Sequence, residues 1–353
     1  MSGRRRGTQP GRGARSAGTA VVVLVVASIC LGVLVWAGSR GTAPDEYVAR
    51  VVPPVTTSSS SAPSETAGPP KRQRIVAGVT FVRAPDPAKR ARARELRRMA
   101  ELAALADQPF TFRVSSFNIL GHGHTTASGN KPGYADGPQR MRWAIDIMNG
   151  AGISVAGLQE YEVPQHEVLV STPGWEVFPG LQLGKPALAN SIVWRSEVWE
   201  LVEGHTIDIP YFGGEPKPMP YALLRHRDSG RETWFANFHN PASTRGPAGH
   251  LRAEATRRET ELAARLTADG TPLVLTGDMN DKAEFFCTMT RGAPMRAANG
   301  GSTGSSCSLP PDPRIDWIMG SLNITFSDYA ADRGGLVPRT TDHPFVHATA
   351  TVG

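Results

Sequence analysis

The run from Pro272 to Asp281, PLVLTGDMND, constrains this chain more than any other stretch. A short apolar segment closed by Gly, Asp and Asn reads as a buried strand that opens into a cleft at its C-terminal end. In extended backbone, residues two apart point to the same side, so Asp278 and Asn280 are expected to face the cleft together. One is an ionised acceptor and the other offers both donor and acceptor, a pair that suits a phosphate beside a cation. The same letters also describe an ordinary strand-to-helix turn. The rest of the chain has to decide between these readings.

Other apolar runs end the same way. Phe112 to Asn118 reads as a strand closing on Asn118, and Ile153 to Gln159 as a strand followed by Glu160. Glu232 to His239 closes on His239, and Asp342 and His343 stand just before the last strand, Phe345 to Val352. Asp316 lies inside Arg314–Met319, among apolar neighbours, where an unpartnered charge is costly. Further strands are expected at Trp175–Phe178, Ser191–Trp194, Trp199–Ile209, Tyr221–His226 and Leu273–Thr276. Helices are expected at Gly137–Asn149 and Gly249–Ala268. Pro210–Pro220, with four prolines and two glycines, reads as an irregular, specificity-setting loop. Many strands with few helices between them predict an α+β fold of two mixed sheets packed face to face, with helices outside.

The N-terminal part reads differently. Residues 1–98 hold 17 Lys/Arg against 5 Asp/Glu; of the chain totals of 38 and 32 this leaves 21 against 27 for residues 99–353. The basic character therefore belongs to the tail, and the acidic remainder argues against a broad electrostatic grip on polynucleotide. Arg4, Arg5, Arg6, Arg12 and Arg15 precede an uncharged apolar run centred on Ala20–Gly38. Such a run is long enough to span a bilayer, with its basic flank in the cytoplasm. A cleaved signal peptide is the alternative; either way the bulk of the chain is exported. The expected organisation is a basic tail (1–17), a transmembrane helix (18–38), a disordered Pro/Ser/Thr-rich stalk (39–86), a basic helix (87–108) and a globular domain (109–353). Cys287 and Cys307 flank the Gly/Ser-rich loop 297–306. In an exported chain they are expected as a disulfide, two free thiols being the alternative.

Taken in order, FN at 117–118, LQE at 158–160, the His239 strand, GDMN at 277–280, IDWI at 315–318 and DH at 342–343 resemble the endonuclease/exonuclease/phosphatase family with the DNase I-like fold. Each motif is short, but six in order over about 110–352 make a specific pattern. The resemblance implies a four-layer αββα sandwich, a divalent cation, usually Mg²⁺ with Mn²⁺ as the alternative, and hydrolysis of a phosphoester. Carried over residue by residue, it implies Glu160 as principal metal ligand with Asn118 beside it and Asp342 near or on the metal. His343 becomes the general base and Asp316 the group that holds its imidazole. His239 contacts the phosphate or protonates the leaving oxygen, Asp278 positions the nucleophile or assists the leaving group, and Asn280 bonds a phosphoryl oxygen. The abasic-site branch has an Asp two residues after the strand-end Asn, where this chain has Leu120, so the resemblance does not extend to that role. The implied partners are a phosphoester substrate (nucleic acid, phospholipid or small metabolite) and a membrane. The rival reading is a surface binding module on a silent enzyme fold.

Overall fold

The computed structural model describes residues 86–106 and 108–353, together with a short strand pair, β1 (Tyr47–Ala49) and β2 (Phe81–Arg83). The basic tail, the apolar segment 18–38 and most of the linker lie outside the described residues. Within the span expected as a disordered stalk, β1 and β2 pair antiparallel. Among the described residues no helix is long and apolar enough to cross a membrane. The chain divides into two units, Met1–Asp86 and Pro87–Gly353.

The second unit opens with the basic helix α1 (Pro87–Ala106). Then come β3 (Phe110–Asn118), α2 (Gly137–Gly150), β4 (Val155–Gln159), α3 (Val163–Ser171), β5 (Trp175–Phe178), α4 (Lys185–Leu188) and β6 (Ile192–Arg195). The middle of the chain supplies β7 (Trp199–Pro210), β8 (Pro216–His226), β9 (Glu232–His239), α5 (Gly249–Leu266), β10 (Leu273–Asp278) and α6 (Ala283–Gly292). The last part holds β11 (Met295–Ala297), β12 (Asp316–Ser321), β13 (Ile324–Asp332), α7 (Val337–Thr340) and β14 (Phe345–Val352).

Two six-stranded sheets result, with orders β13-β14-β3-β4-β6-β5 and β11-β12-β10-β9-β8-β7. Their facing sides bury Phe112, Val114, Trp194, Trp199, Phe235, Val274, Ile318 and Val346 in one core. A second core lies between the β10 sheet and helices α5 and α6, through Leu262, Phe286, Met289 and Trp317. A third lies between the β3 sheet and α2 and α3, through Phe117, Met141, Met148, Leu158 and Leu169. Helix, sheet, sheet, helix is the expected four-layer order. The apolar periodicity of α2 and α5 and the fully buried runs of β4 and β10 are what sort them into outer and inner layers.

The inter-sheet core carries one polar staple. Asn237 Nδ2 donates to Leu158 O (2.8 Å) and Ser191 O (3.1 Å), while its Oδ1 accepts from Gln159 Nε2 (2.6 Å) and Thr276 Oγ1 (3.2 Å). It ties the ends of β4, β9 and β10 across the layers. Gly157 makes room for it: a Cβ there would meet Thr276 Oγ1 at 2.0 Å and Asn237 Oδ1 at 2.4 Å.

Two expectations need correcting. Pro210–Pro220 is not wholly irregular, since β8 already begins at Pro216 and pairs with β7 through Pro216↔Pro210, Pro218↔Asp208 and Pro220↔Thr206. Prolines at alternate positions lack their N–H on one side only, and β9 reaches β8 only from Tyr221 onward, so that side is an edge. β13 is a strand that the sequence does not announce. Its exposed, polar residues and a bulge between Ser327 and Ala330 hide the period of two. Cys287 and Cys307 are joined as a disulfide, with Cα atoms 5.3 Å apart.

Candidate active site

Each sheet contains one parallel pair, β3 with β4 and β9 with β10, and the C-terminal ends of both pairs meet at one edge of the sandwich. In register, Asn118 stands beside Gln159 and Asp278 beside His239. β12 runs antiparallel to β10, which puts Asp316 directly across from Asp278. β14 runs antiparallel to β3, so the segment just before it, with Asp342 and His343, arrives at the same edge. Thr341 Oγ1 fastens that segment by donating to Asn118 O (2.7 Å), and His343 N donates to Thr341 Oγ1 (3.2 Å).

The turns that leave these strands are strained. Leu120, Glu160 and Asn280 all have positive φ, at 56°, 57° and 48°. Non-glycine residues held there are frequent at functional sites. Arg140 over-determines the first of these turns. It is fully buried and donates to the carbonyls of Ile119, Leu120, Gly121 and Thr340, a structural role.

At the centre lies the Asp278 carboxyl. Its Oδ2 is 3.1 Å from Asn118 Nδ2, 3.6 Å from His239 Nε2 and 3.7 Å from His343 Nε2. His343 Nδ1 is 2.9 Å from Asp316 Oδ1. Burial pushes Asp278 above the usual carboxylate range and His239 below the usual imidazole range, against the attraction between them. Burial also opposes charge on His343, but the Asp316 hydrogen bond and the nearby carboxylates outweigh it and raise His343 to about 10.

Glu160 lies to one side. Burial disfavours its charge, yet contacts from His124, Gly121 N (3.0 Å) and Asn118 Nδ2 (3.0 Å) hold it well below the usual range. It is therefore an anion.

Several expected residues sit differently from the expectation. Asn118, expected beside the metal as a ligand, turns its amide nitrogen to Glu160 and Asp278. Its Oδ1 accepts from Leu120 N (3.1 Å), so it orients two carboxylates. Asn280 does not share a strand face with Asp278. β10 ends at Asp278, the chain turns, and Asn280 N donates to Asp278 Oδ1 (3.1 Å), a turn that Asp side chains favour. Asn280 Nδ2 gives one hydrogen to Asn240 O (2.9 Å) and retains a second. Asp342 is engaged by Lys131 Nζ at 2.7 Å and lies outside the buried cluster.

Three residues at the site are not marked by any motif in the sequence. Lys217 on β8 lies 4.1 Å over the ring of Tyr211, which in turn packs 5.9 Å from the His239 ring. Burial lowers its ammonium to about 8. Its place is hidden by the prolines on either side. His124 reaches Glu160, with Nε2 3.2 Å from Oε2. Glu259, on the apolar face of α5 between Ala255 and Leu262, is fully buried behind Asn240. Asn240 Nδ2 donates to it (3.4 Å), burial raises its carboxyl to about 8, and Asn240 Oδ1 and Glu259 Oε1 are both buried without partners. A proton on Glu259 supplies the donor that both lack. An acid on an apolar helix face is the visible signal.

Asp278, Asp316 and His343 carry ligand atoms within 4.8 Å of one another. One His343 nitrogen in this trio is already committed to Asp316, and burial raises the Asp278 carboxyl, so the cluster can move a proton as well as face a cation. The anionic, oxygen-donating Glu160 is the better cation ligand.

No protein-family model and no curated protein matches the sequence. Solved structures do resemble it. An endonuclease/exonuclease/phosphatase family protein from Bacteroides thetaiotaomicron is 18% identical, with 70% of this chain and 99% of that one covered, at a TM-score of 0.54. One from Bacteroides vulgatus is 14% identical over 69% and 98%, at 0.53. The human nocturnin catalytic domain, with a bound sulfate, is 16% identical over 70% and 97%, at 0.50. The fold is therefore the endonuclease/exonuclease/phosphatase, or DNase I-like, fold. Fold alone does not assign chemistry.

Proposed function

We propose that this chain is a divalent-metal-dependent phosphoesterase. The observation that carries the reading is the meeting, at one edge, of a carboxylate held anionic (Glu160) with an Asp–His pair (Asp316 and His343) and a buried His–Asp pair (His239 and Asp278). The donor set at Glu160 fits a hard cation, with the substrate phosphate and water completing its shell. Such a cation, Mg²⁺ or Mn²⁺, stabilises charge on a phosphoryl oxygen and acidifies bound water.

The remaining parts belong to the chain. His343 takes the proton of the attacking water, and Asp316 fixes the ring, the orienting logic of a Ser-His-Asp triad. His239 and the second amide hydrogen of Asn280 face the phosphoryl group. Lys217 adds a positive charge on the substrate side of His239. Asp278, between the two imidazoles, holds both rings in place.

Export and a membrane tether rest on Arg4–Arg15 and the apolar run Ala20–Gly38. The excess of acidic over basic residues in 99–353, on a membrane-proximal stalk, favours a phospholipid head group or small diester over a long polynucleotide. Turnover of an aryl phosphodiester, the matching monoester, plasmid DNA and phospholipid vesicles, with Mg²⁺ or Mn²⁺ and with chelator, tests the reading. The expectation is metal-dependent turnover with lipid or small diester above plasmid. Turnover unaffected by chelator contradicts the metal assignment, and preference for plasmid contradicts the substrate assignment.

A further inference from the structure

The loop Gly121–Thr125 carries two histidines, and they have different neighbours. His122 Nδ1 accepts from Gly137 N (3.2 Å) and so belongs to the start of α2. His124 turns the other way. Its Nε2 stands 3.2 Å from Glu160 Oε2, and its Nδ1 stands 2.8 Å from Asn130 Oδ1. An amide oxygen only accepts, so Nδ1 is the donor to Asn130, which leaves Nε2, the nitrogen paired with Glu160 here, as the one a cation at Glu160 would meet. A metal-ligating histidine is held in this way, with the far ring nitrogen donating to a carbonyl oxygen that fixes the tautomer.

The contact with Glu160 has a length to match. Two donors sharing an octahedral ion at about 2.1 Å each stand about 3 Å apart. The loop is also shaped to close on these acids. A Cβ on Gly121 would stand 2.7 Å from Glu162 Oε1, and Gly123 N donates to Glu162 Oε2 (2.9 Å).

We propose that His124 is a second protein ligand of the cation held by Glu160, and that its nitrogen biases the site from Mg²⁺ toward a first-row transition ion such as Mn²⁺. The inference rests on the reading of Glu160 as a metal ligand. Mg²⁺ takes oxygen donors almost exclusively, whereas imidazole favours the transition ions. His124 is then what separates a nitrogen-containing site from an all-oxygen one on the same fold.

The test uses the metal-stripped full chain, with Mn²⁺ and then Mg²⁺ as probes. Free Mn²⁺ is followed by its EPR signal, and bound Mn²⁺ is examined by pulsed EPR for coupling to a directly bonded nitrogen. The expected result is nitrogen coupling in the wild type, absent in His124→Ala. The same substitution weakens Mn²⁺ binding about 10-fold or more and moves Mg²⁺ affinity by less than about 3-fold. Equal Mn²⁺ affinity in wild type and His124→Ala, with no nitrogen coupling, overturns the inference and leaves an ion pair with Glu160. Mn²⁺ binding that survives Glu160→Gln unchanged, or no Mn²⁺ binding by the wild type, overturns the underlying metal reading instead. Thermal melting of each variant separates a lost ligand from a lost fold.

Discussion

Asp316 Oδ1 and His343 Nδ1 lie 2.9 Å apart although one begins a strand of the β10 sheet and the other precedes a strand of the β3 sheet. The hydrogen bond thus crosses between the two layers, and it exists only when the sandwich is assembled. This couples the proposed base to the fold. Asp316→Asn keeps the shape and removes the charge that holds the imidazolium. A general base works in its neutral form, and His343 is held charged up to about 10, so turnover is expected to rise toward alkaline pH. In Asp316→Asn the limb moves to lower pH and the plateau falls by on the order of 10²-fold or more. A kcat–pH profile checks it; an unmoved limb removes Asp316 from the proposed mechanism.

Gly157→Ala tests the polar staple. The added Cβ meets Thr276 Oγ1 at 2.0 Å and Asn237 Oδ1 at 2.4 Å, in a place with no room to give. Overpacking of this kind costs about 1–3 kcal/mol. The melting temperature is expected to drop by several degrees. A variant as stable as the wild type shows that the layers slide apart more easily than their hydrogen bonds suggest.

Glu259→Gln tests the buried acid. Burial raises its folded-state value to about 8, above an unfolded value of about 4.3. Its contribution is fully present below the unfolded value and is lost as pH rises through the folded one, at about 1.4 kcal/mol per pH unit. Glutamine keeps a neutral donor and has no such slope. The difference in melting temperature between variant and wild type should therefore grow in favour of the variant from about pH 5 to pH 8. Parallel curves would show that Glu259 is not carried as the acid.

Lys217 separates charge from packing. Its ammonium is lowered to about 8 by burial against Tyr211, so it is charged at pH 7 and largely neutral at pH 9. Lys217→Ala is expected to lower kcat/KM about 10- to 100-fold at pH 7 if it meets the phosphate in the transition state. Lys217→Arg stays charged at both values, so its activity relative to the wild type is expected to rise between pH 7 and pH 9. Initial rates at the two pH values decide.

The strand ends are readable because an apolar run that stops on Asn118, His239 or Asp278 combines a buried strand with a polar residue at its mouth. The four-layer order is implied by the motifs, and burial of each run on one or both sides bears it out. What cannot be read depends on how loops close. Asn280 leaves the strand because Asp278 captures its backbone N–H. Lys217 is hidden in a strand disguised by alternate prolines. His124 reaches Glu160 from a loop in which Gly121 packs tightly against Glu162. Glu259 is visible as an acid on an apolar helix face, but its partner Asn240 lies 19 residues away and cannot be chosen without the fold.

The most direct test of the central claim is hydrolysis of an aryl phosphodiester by the full chain, wild type against His343→Ala, with Mn²⁺ or Mg²⁺ and with chelator. Turnover is predicted to vanish with chelator and to fall about 10²- to 10⁴-fold in the variant. Equal turnover by both proteins, or turnover indifferent to chelator, would contradict the claim.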